Sequence, residues 1–125
     1  MGLALLDSSV LIALMNPADA HHKRAVDSFD PTIIFVTSAI CITEVLPRAI
    51  SEKKDDRFWK EIGPHLREVI DVTTALASKA AELRARGGMR TPDAIISATA
   101  QERGAQLWTF DAKLAKATPG ARLLA

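Results

Sequence analysis

The sequence predicts an α/β fold, a single domain over residues 1–125 in which helices flank both faces of a central, mainly parallel sheet. Three observations carry that prediction. Short apolar runs alternate with segments of helical periodicity along the whole chain. The runs are too continuous for half-exposed strands, "TIIFVTS" at 32–38 above all, and so read as strands buried on both faces. Acidic residues follow two of these runs directly, Asp7 after the first and Asp111 after "QLWTF". That placement is expected where one edge of a parallel sheet carries the chemistry. A chain of this length hides roughly two-thirds of its unfolded surface and needs no staple to hold a core.

The elements follow in order. "LALL" at 3–6 is the first strand, and Val10, Leu11, Leu14 and Met15 then recur at helical spacing until Asn16-Pro17. A second helix spans Asp19 to Phe29 and is broken by Asp30-Pro31. After the strand at 32–38, Ser38 or Thr37 caps a helix from Ala39 to about Ile50. Pro47 predicts a kink there, or an end near Leu46, because it lacks the N–H that the helix needs. "SEKKDDR" at 51–57 reads as a charged connection, 58–68 as a helix weakened by Gly63-Pro64, and "EVIDVT" at 68–73 as a strand. Residues 74–86 form an amphipathic helix closed by Gly87-Gly88. "TPDAIISATAQERG" at 91–104 is the clearest helix, with Thr91 as its cap, Pro92 opening it and Gly104 ending it. A strand at 106–110, a short helix at 112–117 and a strand at 121–124 complete the chain.

Composition narrows the function classes. The chain is 48% hydrophobic and 25% charged, with a formal net charge of +1, so it offers no global attraction for nucleic acid. Lone Cys41 excludes an intramolecular disulfide, and no Cys/His cluster suggests structural zinc. The expected setting is therefore the reducing cytoplasm, with no membrane span, since no apolar run reaches the 18 or more residues that one requires. Asp7 and the lack of a preceding basic region also argue against reading residues 3–14 as a signal peptide.

Four acids stand out. Asp7 and Asp111 leave strand ends at the same sheet edge, Asp93 opens a helix that begins there, and Glu44 sits in the otherwise small and apolar "AICITEVL". Each has a plain structural role available: helix caps for Asp7 and Asp111, the helix dipole for Asp93, an ion pair with Arg48 for Glu44. Together, with no cation among their immediate neighbours, they would have to protonate or bind a metal. Oxygen donors without cysteine or histidine suit Mg²⁺ or Mn²⁺. An ion so held activates water and steadies the charge on a phosphate under attack.

"LLDSSVLIAL", "SAICITEVLPRA", "RTPDAIISATA" and "LWTFDAKLAK", in this order, resemble the PIN-domain ribonucleases, and especially the short VapC toxins of bacterial VapBC toxin–antitoxin pairs. The resemblance covers nearly the whole chain. It implies a metal-dependent endoribonuclease whose acidic quartet is Asp7, Glu44, Asp93 and Asp111, holding Mg²⁺ or Mn²⁺. Ser9 and Thr109 would be the supporting hydroxyls that fix carboxylates or the attacking water. It also implies RNA as substrate, a homodimer, and a cognate antitoxin that covers the pocket. Many relatives carry a further acid after the position of Asp111, where this chain continues "AKLAKATPG".

RNA would need local positive charge. Lys79, Arg84, Arg86 and Arg90 against Glu82 give a local +3, and Arg48 with Lys53 and Lys54 forms a second candidate. The histidines, His21, His22 and His65, read as surface residues, and Trp59 and Trp108 as packing residues. The rival readings are weaker. A haloacid-dehalogenase-type phosphohydrolase needs an acid where Ser9 stands, and a phosphoacceptor receiver needs a central Asp that "DVT" does not supply. The serious alternative is a catalytically inactive PIN-like module that binds RNA or protein.

Overall fold

The computed structural model describes residues 2–125. Five parallel strands lie in the order β3-β2-β1-β4-β5: β1 (Gly2–Leu6), β2 (Ile33–Ser38), β3 (Leu66–Ile70), β4 (Gln106–Thr109) and β5 (Arg122–Leu123). The predicted α/β sandwich with a parallel central sheet is the observed one. The register pairs Leu5 with Val36 on one side of β1 and Leu6 with Trp108 on the other. Central β1 is closed off from water by both neighbours and both layers, and Ala4, Leu5 and Leu6 are fully buried. This is why "LALL" is apolar without alternation.

The helices are α1 (Ser8–Met15), α2 (His22–Asp27), α3 (Ala39–Ser51), α4 (Asp55–Arg57), α5 (Thr74–Gly87), α6 (Thr91–Arg103) and α7 (Ala112–Ala117). Side-chain caps start four of them. Asp7, Ser38, Thr73 and Asp111 each accept a backbone N–H from the first turn of α1, α3, α5 and α7. Gly88 and Gly104 end α5 and α6 in the left-handed conformation, at φ 65° and 60°. Buried α6 residues Ala94 to Ala100 form the floor beneath the sheet, where small side chains let the helix approach closely.

Several local expectations change. α3 runs through Pro47 to Ser51 instead of ending near Leu46. Its inward residues Cys41, Val45 and Ala49 are buried, and that packing outweighs the hydrogen bond lost at Pro47. The cap of α6 is Arg90, without a side-chain bond, and Thr91 is already helical. The charged stretch 51–57 contains α4, which passes into a π turn at Phe58–Ile62 and a 3-10 turn at Gly63–His65. Gly63-Pro64 therefore stops the helix, and β3 starts at Leu66 and ends at Ile70, earlier than 68–73. α2 is shorter than 19–29, because Asp19 turns the chain by accepting the His21 N–H at 2.8 Å. Trp108 is 1% exposed and is a packing residue as expected, whereas Trp59 is 46% exposed and is not.

Candidate active site

The strand order places β2 and β3 to one side of β1, and β4 and β5 to the other. Chain direction across the sheet therefore reverses between β1 and β4. In open parallel sheets the crevice for ligands forms outside the carboxyl ends of the strands at that point. Asp7 is the first residue beyond β1, and its N–H donates to the Trp108 carbonyl at 3.2 Å. Thr109, the last residue of β4, lies beside it.

Asp7 is 3% exposed and held from several directions. Its Oδ1 accepts the Ser9 hydroxyl at 2.6 Å and the Val10 N–H at 3.1 Å, and its Oδ2 accepts the Thr109 hydroxyl. The Ser9 oxygen in turn accepts the Phe110 N–H at 3.0 Å, and the Thr109 oxygen the Asp111 N–H at 2.9 Å. One connected network thus joins the ends of β1 and β4, and it contains four of the residues singled out in the sequence: Asp7, Ser9, Thr109 and Asp111. The dull reading of Asp7 as a helix cap is correct as well, since the Val10 bond is that cap. A single carboxylate performs both tasks because its two oxygens face different elements.

Burial pushes the Asp7 carboxyl above its ordinary value, against the opposing pull of the Ser9 and Thr109 hydroxyls and the backbone N–H groups. Among the described residues no lysine, arginine or histidine pairs with it. The same apolar surroundings push the neighbouring Cys41 thiol up to about 11, so Cys41 is an inert packing group.

The other acids are held separately. Glu44 is exposed on α3 and accepts the Ser8 hydroxyl at 2.5 Å, so it is tied to the residue next to Asp7. The expected Glu44–Arg48 pair is absent, because Arg48 bonds Glu52 at 3.0 Å, on the opposite side along the helix. Asp111 Oδ1 caps α7 through the Lys113 and Leu114 N–H groups, at 2.9 and 3.2 Å. α6 hands the chain to β4 through Gly104 and Ala105, so its first turn, with Asp93, lies a helix length of about 20 Å back toward the carboxyl edge. There Asp93 pairs with Arg90 at 3.3 Å, which corrects the expectation that no neighbour offers it a cation. Among the described residues no three His, Cys, Asp or Glu side chains are gathered closely enough to hold a metal ion.

The donor chemistry at Asp7 still fits a hard divalent cation. It is a buried carboxylate without a counter-charge, whose side-chain partners are the Ser9 and Thr109 hydroxyls. The basic candidates shrink on inspection. Lys79 pairs with Glu102, Arg90 with Asp93, and Arg84 donates to the Met89 carbonyl, which leaves Arg86 exposed and without a bonded partner among the described residues.

A family model for the PIN domain matches residues 4–118. The chain belongs to the PIN domain family. Its fold is shared with solved structures across nearly the full length. A toxin–antitoxin complex from Klebsiella pneumoniae is 27% identical with a TM-score of 0.82, covering 98% of each chain. The FitAcB structure from Neisseria gonorrhoeae is 22% identical at TM-score 0.77, covering 96% of each chain. A sarcin–ricin-loop-cleaving toxin from Mycobacterium tuberculosis is 24% identical at 0.76, covering 91% of this chain and 94% of that one. The last two likenesses speak for the PIN fold alone. A search of curated protein sequences finds no match to the chain.

Two features of this PIN domain escaped the sequence reading. Ser8 links Glu44 to the Asp7 turn, and its only signal was its position beside Asp7. The second is a cleft of about 290 Å³ between α1 and α3, lined by Ile12, Met15, Val45 and Ala49, with Glu44 and Arg48 at its rim. Among the described residues no helix is long and apolar enough to cross a membrane.

Proposed function

We propose that this PIN domain is a metal-dependent endoribonuclease that hydrolyses RNA phosphodiester bonds, acting as the toxin of a toxin–antitoxin pair in the cytoplasm. The observation that carries the reading is Asp7: a buried carboxylate without a cation, at the sheet's switch point, held by hydroxyls from the ends of two strands. A side chain whose charge is disfavoured by burial gains most from a divalent ion. Asp7 would hold Mg²⁺ or Mn²⁺ together with Asp93, Glu44 and Asp111. The bound ion would supply a nucleophilic hydroxide from water and neutralise charge on the phosphate.

The chain's own residues do the remaining work. Ser9 and Thr109 fix the Asp7 oxygens, so that the carboxylate meets its ligand without losing side-chain freedom at that moment. Ser8 restrains Glu44 near the same turn. Arg86 and Arg90 offer charge to RNA phosphates, the kind of contact that positions a strand without reading it. The Klebsiella pneumoniae complex supports an antitoxin as partner, and the cleft between α1 and α3 beside Glu44 is the surface such a chain would cover. A homodimer, as the family resemblance implies, belongs to the same proposal.

The inactive-module reading keeps one observation in its favour: Asp93 is neutralised by Arg90, and no three acids stand together. Incubation of structured RNA with the protein and Mg²⁺ or Mn²⁺ separates the two. The nuclease reading expects cleavage that EDTA stops and that Asp7→Asn and Asp93→Asn each reduce by a hundredfold or more, the scale of losing a ligand. Wild-type rates in both variants, or no cleavage and no Mn²⁺-dependent rise in melting temperature, would leave the binding module.

A further inference from the structure

Beside the carboxylate network, one aromatic contact is flat and open to solvent. The ring of His21 lies flat on that of Phe110, with centroids 4.3 Å apart and planes inclined by 14°. Phe110 stands between Thr109 and Asp111, and its N–H is bonded to the Ser9 oxygen, so it is anchored directly to the Asp7 network. It is only half-buried, and His21 is exposed. His21 is placed by its own turn, because its N–H donates to Asp19 Oδ1 at 2.8 Å. A flat, solvent-facing aromatic pair is thus fixed at the rim of the candidate site, in a chain whose other close aromatic pairs are mostly edge-on.

We propose that His21 and Phe110 form a stacking platform for one unpaired base of single-stranded RNA. The inference rests on the nuclease reading and deepens it, because it names what holds the strand beside Asp7. Stacking on a ring face suits any base, whereas the phosphate contacts of Arg86 and Arg90 hold only the backbone. A base seated on this pair lies beside the Asp7 network, because Phe110 is bonded to Ser9 through its N–H. Such a platform selects unpaired segments over duplex, because a paired base offers no free face.

The test uses short single-stranded oligoribonucleotides carrying 2-aminopurine at successive positions, bound to the full chain in EDTA so that no cleavage is required. Wild-type protein is expected to quench the fluorescence at one position. His21→Ala should abolish that quenching and weaken binding about tenfold, equal to ~1.4 kcal/mol, within the range of one base–aromatic stack. His21→Phe should keep both, since it retains a ring face without the imidazole. Undiminished quenching in His21→Ala, or no quenching at any position with wild type, overturns the platform. The nuclease reading fails separately: quenching that depends on His21 without any Mg²⁺-stimulated cleavage keeps the platform and sinks the nuclease.

Discussion

Thr109 gives its hydroxyl hydrogen to Asp7 Oδ2 and receives the N–H of Asp111 on the same oxygen at 2.9 Å. A residue with 0% exposure thereby couples two acids that stand far apart in the chain. Thr109→Val keeps the shape and removes both bonds. Each orphaned buried group costs about 1–3 kcal/mol, so urea denaturation should show a loss of roughly 2 kcal/mol or more. Thr109→Ser should restore most of it. A stability equal to wild type in Thr109→Val would mean that the hydroxyl is not what holds Asp7.

Asp7 sets a pH dependence with a definite sign. Its carboxyl is raised above the ordinary value by burial, so the folded chain binds its proton more tightly than the unfolded chain does. Between the unfolded and folded pKa values the folded state holds the extra proton, and this contribution to stability fades as pH rises through the folded value. Above the folded value, without metal, the ionised carboxylate is thus a cost. Asp7→Asn should raise the melting temperature of the metal-free protein at pH 7 by a few degrees, at roughly 4 °C per kcal/mol, and the gain should shrink toward pH 4. A melting temperature lowered at pH 7 would contradict the assignment. Added Mn²⁺ should stabilise wild type and leave Asp7→Asn unmoved.

The layers and the parallel sheet were legible because β1, β2 and β4 are buried on both faces and leave unbroken apolar runs in the sequence. Asp7, Ser9, Thr109 and Asp111 were legible because strand ends and caps are local signals, and the sheet brings those ends together. What was hidden is side-chain choice among partners. Arg48 has acids four residues away on both sides, Glu44 and Glu52, and nothing in the spacing says which it takes. Arg90 reads as free charge until α6 starts one residue earlier than Thr91 as cap implies, which brings Asp93 within reach. The His21–Phe110 stack joins residues far apart in the chain and leaves no periodic trace.

Pro47 gives a test of the packing argument. α3 tolerates it at an exposed interior position, where the Thr43 carbonyl loses its helical donor. Pro47→Ala restores that N–H, although it also frees the unfolded chain. The net expectation is a gain of about 1 kcal/mol in chemical denaturation. A loss would show that α3 depends on a bend at Pro47, and with it the placing of Glu44 three residues earlier.

Arg90 is the sharpest probe of whether Asp93 is a ligand. The two side chains pair at 3.3 Å with Arg90 largely exposed, and a divalent cation seeking Asp93 must compete with that guanidinium. An exposed pair contributes about 0.2–1 kcal/mol, so its removal should tighten a cation on Asp93 by at most about fivefold. Arg90→Ala is therefore expected to lower the Mn²⁺ dissociation constant by roughly two- to fivefold in calorimetric titration. The same change should weaken RNA binding and flatten its salt dependence, because a phosphate contact is lost. Opposite movements of metal and RNA affinity in one variant are what a residue shared between the two sites must produce. Unchanged Mn²⁺ affinity would remove Asp93 from the metal site, and unchanged RNA affinity would remove Arg90 from the RNA surface.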